Sequence, residues 1–370
     1  MKKKILYILP WLNTGGAEKL VVDYALNLDS EVYEVIVLSV FGRHHTLFEE
    51  RLEARGIQVL YIDHRKWRGE TRLAPWMRIY QKIYIALKVK KIVEKLKPQV
   101  IHSHLHVNQF LLGVNAKKLD LKLFHTIHSH PDIIEKGLNR RASSWCYKKK
   151  GMVPIVLHQG MVQEVRRYFD LNRVLVVKNG IDLEVFRKAR EFREEYRRAL
   201  GFREEDFVIG HIGRFKAEKN HAMIVEIFHE VVKVNARARL ILVGEGELKE
   251  QIEARAKELD LEDKVSFLGS RGDIPEVLVT FDVFLFPSLY EALGIALVEA
   301  QAAGVPCVVS RAIPREAYLS GRIRSLPIGV SLKDWRDAVL GSIEGHEVYD
   351  SLDSYDIHQV VKQLEKIYDQ

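Results

Sequence analysis

Short β-branched, apolar runs recur along the whole chain, each followed by a longer segment with helical spacing. This alternation limits the fold more than any other feature. In the first half, Ile5–Leu9, Val32–Val40, Ile57–Asp63, Val100–His104, Leu123–His128, Val153–His158 and Val174–Val177 read as strands. Glu18–Leu28 and the Lys-rich Pro75–Lys97 are among the helical segments between them. The second half repeats the pattern with strands Phe207–Ile212, Ala238–Val243, Val265–Leu268, Val283–Phe286 and Val305–Val309. Its helices include His221–Asn235, Glu247–Leu261 and Ile295–Ala303. Strands that are apolar throughout are buried on both faces, which implies parallel sheets covered by helices on each side. A chain of 370 residues is long for one core, so the reading is two doubly wound α/β domains. The join falls at Asn179-Gly180-Ile181-Asp182, where a strand ends in a turn signal and a charged helix, Glu184–Leu200, begins. Domains are therefore expected at 1–182 and 183–353, with a helical, charge-rich segment at 354–370. Ligands of such sheets bind beyond the carboxyl ends of the strands, and a cleft between two domains is the expected site.

Composition narrows the class. Hydrophobic residues make up 47% and charged residues 29%, which suits a globular protein and excludes a disordered chain. No apolar run approaches the ~18 residues of a membrane span. Lys2–Lys4 followed by Ile5–Leu9 has the outline of a signal peptide. The apolar run is too short for one and Gly15-Gly16 follows it, so a first buried strand is expected. Cys146 and Cys307 are far apart and lack metal-type neighbours, so no disulfide framework is indicated and a cytosolic setting is expected. The net charge of +7 is unevenly spread. Residues 1–180 hold 31 Lys+Arg against 16 Asp+Glu, and residues 181–370 hold 26 against 34. An anionic surface or ligand facing the first half would explain the split, and so would a solvated basic surface.

The stretch "SLYEALGIALVEAQAAGVPCVVS" (Ser288–Ser310) carries Glu291 and Glu299 on either side of an expected helix start near Gly294. Gly294 permits close approach of a ligand to the backbone. The first N–H groups of a helix, at the positive end of its dipole, suit a phosphate. A carboxylate can hold a vicinal diol such as a ribose, so this spacing suits a nucleotide sugar. A helix-start acid and a surface acid fit the same spacing. In "IGHIGRFKAEKNH", Arg214 and Lys219 surround a turn after a strand and can converge on one diphosphate. "LNTGGAEKLVV" places Gly15-Gly16 between the first strand and the first helix, where a glycine turn admits phosphate. "LVGEGELKE" is another glycine turn after a strand, and neither completes a dinucleotide fingerprint. His102, His104, His106, His125, His128 and His130 recur at or near every second residue at strand ends. Strand alternation is expected to divide them between faces, and no H-E-x-x-H or Cys pair accompanies them, so no metal site is assigned. No Asp-x-Asp occurs anywhere, which leaves Arg214, Lys219 and a helix start to neutralise a diphosphate.

Taken together these segments resemble the retaining glycosyltransferases of family 4, which have the GT-B fold. Glu291 and Glu299 match the family's E-x7-E motif. "FLFPSLYEALGIALVEAQAAGVPCVVS" is similar to its most recognisable stretch. "GRFKAEKN", "TGGAE", "VVKNGID" and "FLGSRGDIPEVL" resemble its cationic, N-terminal glycine, interdomain and base-binding segments. The order is the family's and covers nearly the whole chain. "IPREAYLSG" and "SYDIHQVVKQLEKIY" are similar to the capsular and exopolysaccharide branch, in which the last helix crosses back onto the N-terminal domain.

The resemblance implies roles. Glu299 would bind the ribose and Glu291 the hydroxyls of the transferred sugar, with a catalytic part. Leu293, Gly294 and Ile295 would offer backbone N–H groups to phosphate or sugar. Arg214 and Lys219 would neutralise the diphosphate, and Gly16 would allow close approach of the first loop. His128, in "TIHSH", would lie near the anomeric centre, and Arg271 beside the base. Two positions depart from the pattern or leave it open. His158 stands where members often have a serine opening the last helix of the first domain, and Leu293 occupies a variable site. The expected activity is hexose transfer with retention from a nucleotide sugar, with UDP as the expected nucleotide, and without a metal or other cofactor. The acceptor would be a polyprenyl-diphosphate-linked glycan, met by a peripheral protein at the inner face of the cell membrane. The basic first half would meet the anionic membrane surface. The alternatives are a nucleotide-sugar 2-epimerase of the same architecture and, remotely, a basic nucleic-acid-binding protein. Against the latter, the basic residues are not interleaved with aromatics on a recognisable module.

Overall fold

The computed structural model describes residues 2–13, 15–62, 75–131, 137–341 and 351–370. They divide into two compact units, one of residues 1–180 with 357–370 and one of residues 181–356.

The first unit is built on a seven-stranded sheet. Its strands are β1 (Lys3–Leu9), β2 (Tyr33–Ser39), β3 (Gln58–Tyr61), β4 (Val100–His104), β5 (Lys122–Ile127), β6 (Val153–Val156) and β7 (Leu175–Val176). They lie in the order β3-β2-β1-β4-β5-β6-β7, all parallel. Ile5 is paired with Val35 on one side and Val100 on the other, so β1 is central. Ile5 to Leu9 are fully buried, as the unbroken apolar run requires. The chain order reverses between β1 and β4, and ligands gather at the carboxyl ends beside such a reversal.

The second unit repeats the plan with six parallel strands: β8 (Phe207–Ile212), β9 (Ala238–Val243), β10 (Val265–Gly269), β11 (Val283–Phe286), β12 (Cys307–Ser310) and β13 (Ile323–Leu326). Their order is β10-β9-β8-β11-β12-β13, and the reversal lies between β8 and β11. The core joins β8, β9 and β11 to the helices His221–Val232 and Leu332–Leu340, with Trp335 fully buried.

Some elements differ from the sequence reading. The expected helix Glu184–Leu200 is two helices, Leu183–Glu191 and Arg193–Ala199, broken at Phe192. Beyond the break, Arg193 donates to the Phe281 carbonyl (2.9 Å) and to Asp282 (2.6 Å), and Arg197 donates to the Thr280 carbonyl (2.9 Å). These anchors fix the direction of the second helix independently of the first. β13 carries no strand signal in the sequence because only Ile323 of its four residues is buried, and an edge strand needs no continuous apolar run. Asp63, the expected end of the third strand, lies outside the described residues.

The closing helix, Ile357–Asp369, belongs to the first unit. Its buried face of Ile357, Val360, Val361, Leu364 and Tyr368 joins the core around β1 and the opening helix Gly16–Asn27. Gly180 lies against Ile357, where a Cβ would come within 2.9 Å of the Ile357 Cα. Ile181 N–H donates to the Tyr355 carbonyl at 2.8 Å.

Candidate active site

The carboxyl ends of β8 and β11 bring together two segments that lie far apart in the chain. After β8, the turn Gly213–Asn220 carries Arg214 and Lys219. After β11, the loop Pro287–Gly294 carries Glu291. Asn220 Nδ2 donates to the Pro287 carbonyl at 3.1 Å and Leu289 N–H donates to the Glu218 carbonyl at 2.8 Å. Across this seam Lys219 Nζ meets Glu291 Oε1 at 2.5 Å. The ammonium also lies 5.3 Å from the centroid of the Phe286 ring.

Gly294 begins the helix Ile295–Ala302 with φ +84°, a left-handed conformation that L side chains rarely adopt. A Cβ there would meet the Phe286 ring at 3.1 Å. The helix start is therefore backbone close to Glu291 and Lys219, and its first N–H groups can receive an anion. Leu293 is buried and Ile295 half-buried beside it. Glu299 lies one turn into the helix at 5% exposure, and Glu291 is at 9%. The alternative of a surface acid is thereby overturned for Glu299, because a surface position would leave its carboxylate in water. Arg214 is exposed at the same β8 turn.

The second glycine turn, Gly244–Gly246, is support for this site. Gly244 has φ +137°, and a Cβ there would lie 2.1 Å from the Gly213 carbonyl oxygen. At Gly246 a Cβ would lie 2.5 Å from the Phe215 carbonyl oxygen. Phe215 N–H donates to the Glu245 carbonyl at 3.0 Å and Gly244 N–H to the Gly269 carbonyl at 2.8 Å. The loops after β8, β9 and β10 are thus tied by backbone bonds. No local pattern shows the purpose of these glycines, since the contacts they permit join residues about thirty positions apart. Arg271, after β10, is held in a fork by Asp273, with Nε at 2.8 Å from Oδ1.

On the first unit, Gly16 opens the helix that follows β1 and is exposed. Glu18, in that helix's first turn, is only 2% exposed, a burial that no local sequence pattern announces. His128 follows β5, and its Nε2 lies 3.0 Å from His104 Nδ1 at the end of β4. Burial lowers the His128 pKa to about 3, so the ring is neutral at physiological pH. The expectation that alternation would divide the histidines fails. Residues two apart on a strand share a face, and the His102 and His104 rings lie 4.3 Å apart. His102 is spoken for on both nitrogens, by the Tyr368 hydroxyl at 2.6 Å and Thr126 Oγ1 at 2.7 Å. Among the described residues, no three His, Cys, Asp or Glu side chains are grouped to hold a metal ion. His158 is buried, two residues before the helix Gly160–Phe169.

Two doubly wound parallel sheets, with a cation–carboxylate pair and a glycine-opened helix at one switch point, place the chain among α/β proteins that bind ligands beyond the carboxyl ends of their strands. Two family models match in chain order: Glycosyltransferase Family 4 over residues 14–185 and Glycosyl transferases group 1 over residues 192–319. The chain belongs to the family 4, group 1 glycosyltransferases and uses a nucleotide-sugar donor. It is 26% identical to EpsF of Bacillus subtilis, a protein described as a glycosyltransferase, over 348 residues covering 91% of this chain and 87% of that one. It is 27% identical over 237 residues to the UDP-Gal:α-D-GlcNAc-diphosphoundecaprenol α-1,3-galactosyltransferase of Escherichia coli, covering 60% of each. The crystal structure of Anabaena HepE with UDP and glucose shares the GT-B fold at a TM-score of 0.75, with 18% identity and full coverage of both chains.

Proposed function

We propose that the protein transfers a hexose from a UDP-sugar, with retention at the anomeric carbon, to a polyprenyl-diphosphate-linked glycan during capsule or exopolysaccharide synthesis. The observation that carries this reading is the seam at Lys219, Glu291 and Gly294, where a cation, a carboxylate and a helix start converge at one strand end. Lys219 and Arg214 take the diphosphate, Glu299 the ribose diol, and the N–H groups of Leu293 to Ile295 phosphate or sugar. Glu291 holds the hydroxyls of the transferred hexose, and an arriving diphosphate competes with it for Lys219. Gly16 lets the first loop approach the donor, Arg271 stands beside the base, and His128 assists at the anomeric centre. The names of two relatives support the donor and acceptor: HepE is seen with UDP and glucose, and the Escherichia coli enzyme acts from UDP-Gal on a diphosphoundecaprenol-linked sugar.

The step is front-face substitution. The acceptor oxygen bonds the anomeric carbon as the bond from that carbon to the diphosphate oxygen breaks, and the acceptor proton passes to the departing diphosphate. Arg214, Lys219 and the helix start stabilise the charge on the leaving group. The protein works in the cytoplasm at the inner membrane face, to which the basic residues of the first unit draw it.

The test is acceptor-dependent release of UDP, with the product's anomeric configuration read by NMR. Release that needs an acceptor and gives an α-linkage from an α-linked donor supports the reading. A β-linked product removes retention, and sugar epimerisation without an acceptor replaces transfer by a 2-epimerase. Activity in excess EDTA should match untreated activity within about twofold, since the proposed diphosphate cations are covalent parts of the chain.

A further inference from the structure

The helix Pro75–Leu96 of the first unit has two apolar faces. Ile85, Val89 and Val93, four residues apart, are buried and form the inward stripe. Ile79, Tyr80, Ile83 and Leu87 lie along a different stripe, each between 54% and 61% exposed. The helix Gly137–Lys150 adjoins it, since Lys82 Nζ donates to Asn139 Oδ1 at 3.3 Å. That helix buries Ser143, Cys146 and Tyr147 and turns Leu138 and Trp145, two turns apart, outward. Isolated exposed apolar side chains are ordinary. Here six of the fourteen large exposed ones among the described residues fall on two joined helices, and such a concentration marks an interaction surface.

The charges around these side chains say what covers them. Arg141, Lys148 and Lys149 are exposed around Trp145, and Lys150 Nζ lies 5.1 Å from its ring centroid. Lys82, Lys88 and Lys91 are exposed on the neighbouring helix. Among these cations Lys148 is paired with Asp170 at 2.6 Å. A second copy of the same face would bring like charges together. A nucleic acid would match the cations and leave Ile83 and Leu87 in water. An anionic bilayer meets both demands, with phosphates at the surface and acyl chains beneath. Among the described residues no helix is long and apolar enough to cross a membrane, so this contact is with one leaflet.

We propose that these two helices form a membrane-docking face. Ile79, Ile83, Leu87, Leu138 and Trp145 enter the boundary between headgroups and acyl chains, while Arg141, Lys149 and Lys91 meet anionic phosphates. This rests on the reading of a membrane-held acceptor and adds apolar insertion to the attraction of charge. Tyr80 belongs at the headgroup level, where an aromatic ring with a polar tip is stable.

The experiment uses the full chain and vesicles of phosphatidylcholine with or without phosphatidylglycerol. Cosedimentation should be strong with phosphatidylglycerol and weak without it. Trp145 fluorescence, taken as the difference from Trp145→Phe, should shift to the blue and be quenched by brominated acyl chains. The double variant Ile83→Glu, Leu87→Glu should weaken vesicle affinity by about tenfold or more, yet transfer to a soluble acceptor at the parent rate. Unaltered vesicle binding by that variant, or an unquenched Trp145, overturns the face. So does a concentration-dependent dimer that the variant abolishes, which assigns the face to a second copy. Vesicle binding without transfer from any UDP-sugar would sink the function and leave the docking face standing.

Discussion

At Lys219 and Glu291 one pair has two duties. It closes the seam between two loops, and its members are the proposed ligands of diphosphate and sugar. Removing Lys219 leaves a carboxylate at 9% exposure without that partner, a loss of about 1–3 kcal/mol. Lys219→Ala should therefore lower both the unfolding midpoint and turnover, the latter by about 10²-fold. The double variant Lys219→Met, Glu291→Gln separates the two duties, because no buried charge is left unmatched. It should recover most of the stability and none of the transfer, read by thermal unfolding beside a UDP-release assay. Recovered transfer would remove both residues from the chemistry. Glu299→Ala should weaken UDP binding at least tenfold by calorimetry with the fold intact, since each charge-assisted hydrogen bond to ribose is worth ~1.5–3 kcal/mol. Unchanged affinity would take the ribose away from Glu299. These carboxylates were legible in the sequence because a helix start with a glycine and two flanking acids is a local pattern. Their mutual geometry with Lys219 is not legible there, since it depends on hydrogen bonds between residues about seventy positions apart, one from the Asn220 side chain and one from the Leu289 backbone.

At the scale of elements, the closing helix is the clearest case of structure set by distant partners. Its tyrosine, Tyr368, is fully buried and meets Tyr7 of β1 at 3.0 Å and His102 of β4 at 2.6 Å. The helix therefore reaches the strand that carries His104, the neighbour of His128, through one polar chain. Tyr368→Phe keeps the volume and strips the hydroxyl, leaving His102 Nδ1 and the Tyr7 hydroxyl without it in a fully buried core. The expected cost is about 1–3 kcal/mol, seen as a lower urea midpoint with an unchanged slope. No change would mean that water replaces the hydroxyl. The sequence shows this segment as helical and charge-rich, while this contact is not legible there, because nothing local in the last turn names its partner. The glycine turn after β9 is the same lesson in backbone form. The two-faced helix Pro75–Leu96 is its counterpart at the surface: the sequence displays its lysines and its apolar residues together, and only the fold tells which apolar residues are left outside.

At the scale of the whole molecule, buried histidines tie stability to pH. Burial holds His125 at about 3 and His221 at about 4, and it holds His102, His104 and His211 well below the ordinary value. A histidine whose folded pKa lies below that of the unfolded chain binds its proton more readily once unfolded, so acid favours unfolding. The contribution is intact above the ordinary histidine pKa of about 6.5 and is lost as pH falls from there towards the folded values. Between pH 7 and pH 5 each such residue can remove up to about 2 kcal/mol. This window lies above the ordinary carboxylate range near 4, so the histidines govern it. They are unequally shared: His102, His104, His125 and His128 lie in the first unit, and His211 and His221 in the second. Hydrogen exchange read by mass spectrometry follows the two units separately. After correction for the intrinsic exchange rate, β1, β4 and β5 should lose more protection on acidification to pH 5 than β8, β9 and β11. Equal losses would mean that the first unit's histidine cluster takes up protons without unfolding. In that case His128, which burial holds neutral at physiological pH, would take up a proton together with its neighbours as the pH falls.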